Sequence, residues 1–142
     1  SIDGKPMNTS QHMLYQGMMV SDVPNMAMII GYINASWTLK VDIAADYICR
    51  LINHMDKNGF DEVIAHADPL QRENDTIMGK MSSGYIARAA DVMPKQGKQA
   101  PWKITNNYLV DRKELKDAKF DDGVLEFHKR GEQADRKPKL VS

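Results

Sequence analysis

A short apolar segment that leads directly into a long amphipathic helix sets the limits on how this sequence folds. Residues Met26–Ile30 contain no polar side chain, which predicts a buried strand rather than a half-exposed one. Gly31 ends this segment, and Asn34 and Ser36 supply the side chains that favour a helix N-cap. A strand followed by a helix N-terminus can turn backbone N–H groups toward a ligand. The junction is therefore a candidate binding site.

The helix is predicted to run from about Ser36 to Asn58, and Gly59 is placed to form its C-terminal cap. A helical projection gathers its apolar side chains on one broad arc and leaves the charged ones opposite. The arc consists of Val41, Ile43, Ala44, Ala45, Tyr47, Ile48, Leu51, Ile52 and Met55. An arc of this size needs a substantial partner surface.

The rest of the chain is predicted to add short elements. Residues 12–20 and 26–31 are expected to form an antiparallel strand pair, since turn residues join them. The other expectations are a possible short helix at 60–67, a second helix at 84–93, an extended segment at 102–110, a charged connector at 111–119 and a hairpin at Asp122-Gly123. The predicted fold class is α+β, with an antiparallel strand pair, one long helix, a shorter helix and a C-terminal hairpin.

Composition and motifs argue against several classes of function. The 19 basic and 19 acidic residues cancel, which argues against a nucleic-acid partner, and no apolar run is long enough to span a membrane. The single Cys49 fits a cytoplasmic location. No two of the nine glycines are separated by one residue, so a G-x-G-x-x-G dinucleotide fingerprint is absent. The four histidines lack the spacing of metal ligands, and no metal site is predicted.

Lys40 and Trp37 each allow two interpretations. Lys40 falls on the apolar arc in the first helical turn, where a cation opposes the helix dipole. Its ammonium either reaches solvent from the helix end, or points to an anionic ligand or a partner carboxylate at the junction. Trp37 is either a core anchor or a wall of a ligand cleft.

At these residues the sequence resembles the C-terminal part of the FAD-containing, NADPH-dependent class B monooxygenases. This is the Baeyer–Villiger group, in the branch that includes the ethionamide-activating monooxygenase. The similar segments are 15–19, 22–40, 47–55, 83–88, 94–97, 101–102, 107–108 and 122–124. The segment from Gly31 to Lys40 is specific to this family rather than generic.

The resemblance implies a divided flavin site. It implies that residues 1–59 are the final strands and helix of an FAD-binding domain, that 60–128 are a C-terminal extension and that 129–142 are a flexible charged tail. The cofactor-side residues it implies are Gly31, Asn34, Ser36, Trp37, Thr38 and Lys40. FAD and NADPH would serve the parent enzyme, through upstream domains that this chain lacks, so the fragment alone is expected to bind neither and to be inactive. No catalytic residue is implied here.

An alternative function follows from the apolar strand and helix arc rather than from the resemblance. Without the upstream domains, exposed strand edges and an uncovered apolar helix face favour pairing with a second copy. The alternative is a non-enzymatic module that self-associates, and a homo-oligomer is the expected state of the isolated chain.

Overall fold

The computed structural model describes residues 4–32, 35–77, 88–89 and 91–131. Within these ranges it consists of two helices and three small antiparallel strand pairs, β1–β2, β3–β6 and β4–β5. The elements are β1 (Leu14–Tyr15), β2 (Met19–Val20), α1 (Trp37–Asn58), β3 (Glu62–Ala65), β4 (Arg72–Thr76), β5 (Lys95–Gly97), α2 (Tyr108–Asp117) and β6 (Leu125–His128). The predicted α+β character is confirmed.

A tight turn divides the predicted strand 12–20 into β1 and β2. Gln16 and Gly17 have φ values of 52° and 70°, a conformation that glycine adopts without strain. The apolar segment 26–30 runs beside β2, where the Met28 amide donates to the Met18 carbonyl at 2.8 Å. The predicted antiparallel contact is therefore present, as an isolated bridge between Met19 and Ala27.

The burial predicted for Met26–Ile30 is wrong for the chain as described. Ala27 and Ile29 are exposed, and the three residues that alternate with them are half-buried. A continuous apolar run is fully buried only when a neighbour covers each face. Within the described residues, one face of this segment packs against Leu14, Val20, Val23 and Ile77, and the face that carries Ala27 and Ile29 is left exposed.

Helix α1 agrees with its prediction at both ends. Ser36 occupies the N-cap position, and Gly59 at φ 68° donates its amide to the carbonyls of Met55 and Asp56. The buried face carries Lys40, Ala44, Tyr47 and Leu51, and it packs against β1, β2 and α2. The predicted arc is broader than this face, since Val41 and Ile52 are exposed.

The main core lies where α1 meets the strand pairs. Tyr15 and Tyr47 are fully buried at its centre, and Trp102 packs edge-on against Tyr15 at 5.8 Å between ring centroids. The other buried members are Met13, Met18, Met19, Ala44, Leu51, Val63, Ala65, Leu115 and Leu125. Three of the methionines that the structure describes belong to this core, which is consistent with their use as adaptable filling.

The last strand pair replaces two predicted elements. The helix predicted at 60–67 is instead β3, which pairs in full with β6 from Glu62–His128 to Ala65–Leu125. The predicted C-terminal hairpin is therefore wrong, because the partner of β6 lies about sixty residues earlier. Its turn is present, with Gly123 at φ 77°.

Helix α2 lies where a strand end and a charged connector were predicted. Asn107 caps it by accepting the amides of Leu109 and Val110, and its buried residues are Asp111 and Leu115. Residues 84–87 and 90 of the second helix predicted at 84–93, and residues 132–142 of the tail predicted at 129–142, lie outside the described residues. No helix in the described part of the chain combines the length and apolarity needed to cross a membrane.

Candidate functional site

The junction between the apolar segment and α1 brings an exposed aromatic ring onto a buried backbone. Gly31 is buried, and a methyl group at this position would overlap the indole ring of Trp37. Trp37 itself is 56% exposed, so it is not a core anchor. Glycine is therefore required here, because it lets the indole lie on the strand end while the other ring face meets solvent.

The first residues of α1 are exposed beside this ring. Ser36 and Thr38 are both exposed, and their hydroxyl oxygens lie 2.8 Å apart. The Ser36 side chain makes no capping hydrogen bond to the helix backbone, although the residue stands at the N-cap. The first-turn N–H groups consequently donate no bond to this side chain, although the Leu39 amide donates to the Ser36 carbonyl at 3.3 Å. The remaining predicted site residue, Asn34, lies outside the described residues.

Lys40 lies behind this surface in a buried ion pair. It is 4% exposed, and its ammonium donates to Asp111 Oδ2 at 2.8 Å. The Tyr32 hydroxyl donates to the same carboxylate oxygen at 2.8 Å, and Thr105 donates to Oδ1 at 2.7 Å. The Lys40 ammonium also lies 5.5 Å from the centre of the Tyr32 ring. Of the two interpretations of Lys40, the structure therefore supports the partner carboxylate.

The network fixes the charges of its members. Burial acts to raise the pKa of Asp111, but the hydrogen bonds from Lys40, Thr105 and Tyr32 and the Lys40 charge outweigh it. The net effect lowers the pKa of the Asp111 carboxyl below its usual value. Burial, and then the bond to Asp111, raises the pKa of the Tyr32 hydroxyl. The cluster is thus a neutral phenol bonded to a compensated ion pair.

Three members of this network were not predicted as site residues. Tyr32 lies in the junction but carries no motif that distinguishes it, and Thr105 and Asp111 fall in segments predicted as extended chain and connector. Asp111 is 71 residues from Lys40 along the chain. The one available signal was Asn107, a favourable N-cap residue that places Asp111 at the start of a helix.

A second buried tyrosine–aspartate contact lies in the main core. The Tyr15 hydroxyl donates to Asp122 Oδ2 at 2.6 Å, and Tyr47 donates to the Tyr15 hydroxyl at 3.4 Å. Burial and the neighbouring Tyr47 raise the pKa of Tyr15. This contact resembles the Tyr32–Asp111 contact chemically but contains no lysine, and none of the predicted site residues takes part in it.

Two further features lie away from the junction. His66 contacts Asp22 and Glu126, and Glu126 also lies 2.8 Å from His128. Within the described ranges, no group of three or more His, Cys, Asp or Glu side chains could hold a metal ion. A groove of about 420 Å³ separates the segment 25–27 from α1. Its apolar lining is Met19, Met26, Ala27, Ile48, Leu51, Ile52, Met55, Phe60 and Val63.

Comparison with known proteins confirms the resemblance to FAD-containing monooxygenases. The chain is 96% identical over 143 positions to the probable FAD-binding monooxygenase AlmA of an Acinetobacter species and 71% identical over 144 positions to that of Acinetobacter baylyi. In both cases all of this chain aligns with 29% of the relative. It is 44% identical over 130 positions to the FAD-containing monooxygenase EthA of Mycobacterium tuberculosis. That alignment covers 92% of this chain and 26% of the relative.

The chain therefore spans less than a third of the length of these relatives. No protein-family profile matches it. No solved structure matches it either.

Proposed function

We propose that this chain is the C-terminal region of an FAD-containing monooxygenase and forms one wall of the flavin pocket. The observation that carries the proposal is the junction, where an exposed Trp37 ring lies on Gly31 beside the exposed Ser36 and Thr38 at the start of α1. The similarity to FAD-binding and FAD-containing monooxygenases gives this surface its ligand. Gly31, Ser36, Trp37 and Thr38 are the proposed flavin-side residues, together with Asn34.

The chemistry of the junction suits a flavin ring better than a phosphate. The one buried cation described there, Lys40, is already compensated by Asp111, so the surface offers an aromatic face and N–H groups rather than free charge. An aromatic ring and backbone donors are suitable partners for the flat, hydrogen-bonding ring of a flavin. Lys40 therefore acts in this proposal from behind the wall and not as a direct ligand.

The complete protein is proposed to use FAD, NADPH and O₂ to oxygenate ketone or sulfur substrates, with the flavin supplying the redox chemistry. Its upstream domains would hold the rest of the cofactor, in agreement with the missing glycine fingerprint. They would also cover the exposed apolar side chains of Ala27, Ile29, Val41 and Ile52. On this proposal the 142-residue chain has no tight FAD site of its own.

The test is Trp37→Ala in a full-length relative that carries this region. Loss of an aromatic contact of about 0.5–1.5 kcal/mol weakens FAD binding roughly two- to tenfold. FAD affinity is measured by fluorescence titration of the apoprotein, and oxygenation by NADPH consumption with product analysis. Leu70→Ala is the matched control, because Leu70 is 76% exposed and lies outside the junction. Equal affinities in both variants would refute the flavin wall.

A second candidate function is self-association of the isolated chain, which the groove beside α1 favours. Ile52 lines this groove and is 50% exposed. Val41 is also exposed, about three turns nearer the N-terminus on the same side of the helix. A second copy could cover these side chains when the chain is studied on its own. Light scattering at micromolar concentration tests this, and a monodisperse monomer would exclude it.

A further inference from the structure

The two ends of the junction are tied to one oxygen atom. Tyr32 at the end of the apolar segment and Lys40 in the first turn of α1 both donate to Asp111 Oδ2, each at 2.8 Å. Asp111 belongs to α2 and is 79 residues from Tyr32 and 71 residues from Lys40 along the chain. The chain between Tyr32 and Lys40, which includes Ser36, Trp37 and Thr38, is thus held at both ends by a single carboxylate.

The surroundings of this carboxylate fix its own position. Thr105 holds its other oxygen at 2.7 Å, and the Tyr108 ring packs edge-on against the Tyr32 ring at 6.4 Å. The side chains of Lys40 and Asp111 are 5% and 8% exposed, so water does not compete for these bonds. Any change in the acceptor must therefore be transmitted to Tyr32 and Lys40.

We propose that Asp111 is a positioning residue for Tyr32 and the first turn of α1, acting through Tyr32 and Lys40 on the placement of Trp37. Its importance for a flavin rests on the proposed function above. The proposal assigns α2 and the preceding Thr105 a role as the support of this wall. It predicts that the wall shifts when the carboxylate is neutralised, even in a protein that remains folded.

The two tryptophans allow this to be measured in the chain itself. After labelling with 5-fluorotryptophan, ¹⁹F NMR gives one resonance for each of the two tryptophans, and Trp37→Phe assigns them. Trp37 lies at the junction, whereas Trp102 packs on Tyr15, the partner of Asp122. Each ring therefore reports on one of the two tyrosine–aspartate contacts.

We expect Asp111→Asn to shift the Trp37 resonance and to leave that of Trp102 in place. Asp122→Asn is the matched control, which should shift the Trp102 resonance and leave that of Trp37. If Asp111→Asn unfolds the chain, Tyr32→Phe takes its place and Tyr15→Phe takes the place of the control Asp122→Asn. Each of these two variants removes only one hydroxyl. A Trp37 resonance that moves equally in the variants of both contacts, or in neither, would overturn the proposal.

A neutral double variant separates positioning from stability. Lys40→Met with Asp111→Leu removes both buried charges and should recover most of the thermal stability lost in Asp111→Asn. Positioning predicts that its Trp37 resonance stays displaced, because Tyr32 has lost its acceptor. Recovery of both the stability and the original resonance would overturn the proposal and leave a purely structural ion pair.

The same variants in a full-length relative distinguish this inference from the proposed function. If both hold, Asp111→Asn weakens FAD binding within the roughly two- to tenfold range expected for Trp37→Ala, and Asp122→Asn changes it less than about twofold. A displaced Trp37 with unchanged FAD affinity would support the positioning role and refute the flavin wall. An undisturbed Trp37 would refute the positioning role, whatever the result of the Trp37→Ala titration.

Discussion

Replacing Lys40 by methionine should remove a large part of the stability of this chain. Methionine fills a similar volume but leaves the Asp111 carboxylate buried without its cation, and breaking such a pair from one side costs about 3–5 kcal/mol. Asp111 keeps its bonds from Tyr32 and Thr105, so the expected loss is at the lower end, about 3 kcal/mol. A domain has only about 5–15 kcal/mol in total.

Urea unfolding followed by far-ultraviolet circular dichroism measures this loss. At a slope of about 2 kcal/mol per molar urea, the midpoint falls by roughly 1.5 M. Asp46→Asn is the control on the same helix, because it breaks the Asp46–Arg50 pair, whose side chains are 68% and 34% exposed. An exposed pair of this kind contributes about 0.3–0.5 kcal/mol. If Lys40→Met cost no more than Asp46→Asn, the buried ion pair would not stabilise the junction.

Three further predictions use the same chain. Gly31→Ala should lower stability by about 1–3 kcal/mol through overlap with the Trp37 indole, and thermal melting should show this loss disappear when Trp37→Ala is added. The pKa of Asp111 is lowered in the folded chain, so its contribution to stability is complete above its unfolded pKa of about 3.9 and is lost as the pH falls through the folded value. In an acid titration, the free energy of unfolding should therefore fall below about pH 4. This loss should be absent from the double variant Lys40→Met with Asp111→Leu. Ile52→Lys should weaken self-association in light scattering more than Asn53→Lys, which adds the same charge on the polar face; equal effects would point to charge alone.

Helix α1 could be predicted because its signals are local. The repeat of apolar side chains and the glycine at position 59 act within a few turns, and the structure agrees with both ends. The β3–β6 pair could not be predicted, because the run Val63-Ile64-Ala65 fits a buried strand or a buried helix equally well. Its identity depends on β6, which joins it across about sixty residues.

Helix α2 was missed for a different reason. Its two buried residues are four apart, as on one face of a helix, but one of them is Asp111. A buried aspartate interrupts the apolar pattern from which helices are recognised, and it is tolerated only because Lys40, Tyr32 and Thr105 satisfy it. A sequence shows the charge and does not show its partners.

The wrong prediction of burial for Met26–Ile30 is consistent with the proposal that this chain is part of a larger protein. An apolar run without polar alternation is suited to burial on both faces, yet Ala27 and Ile29 are exposed here. The exposed parts of α1, Val41 and Ile52, belong to the same predicted arc as its buried face. The chain spans 29% of the length of its Acinetobacter relatives, so the sequence pattern fits burial in a larger protein. All members of the Asp111 network belong to this chain, so the network needs no residue of another domain. It can therefore support the proposed wall before the rest of the pocket is present.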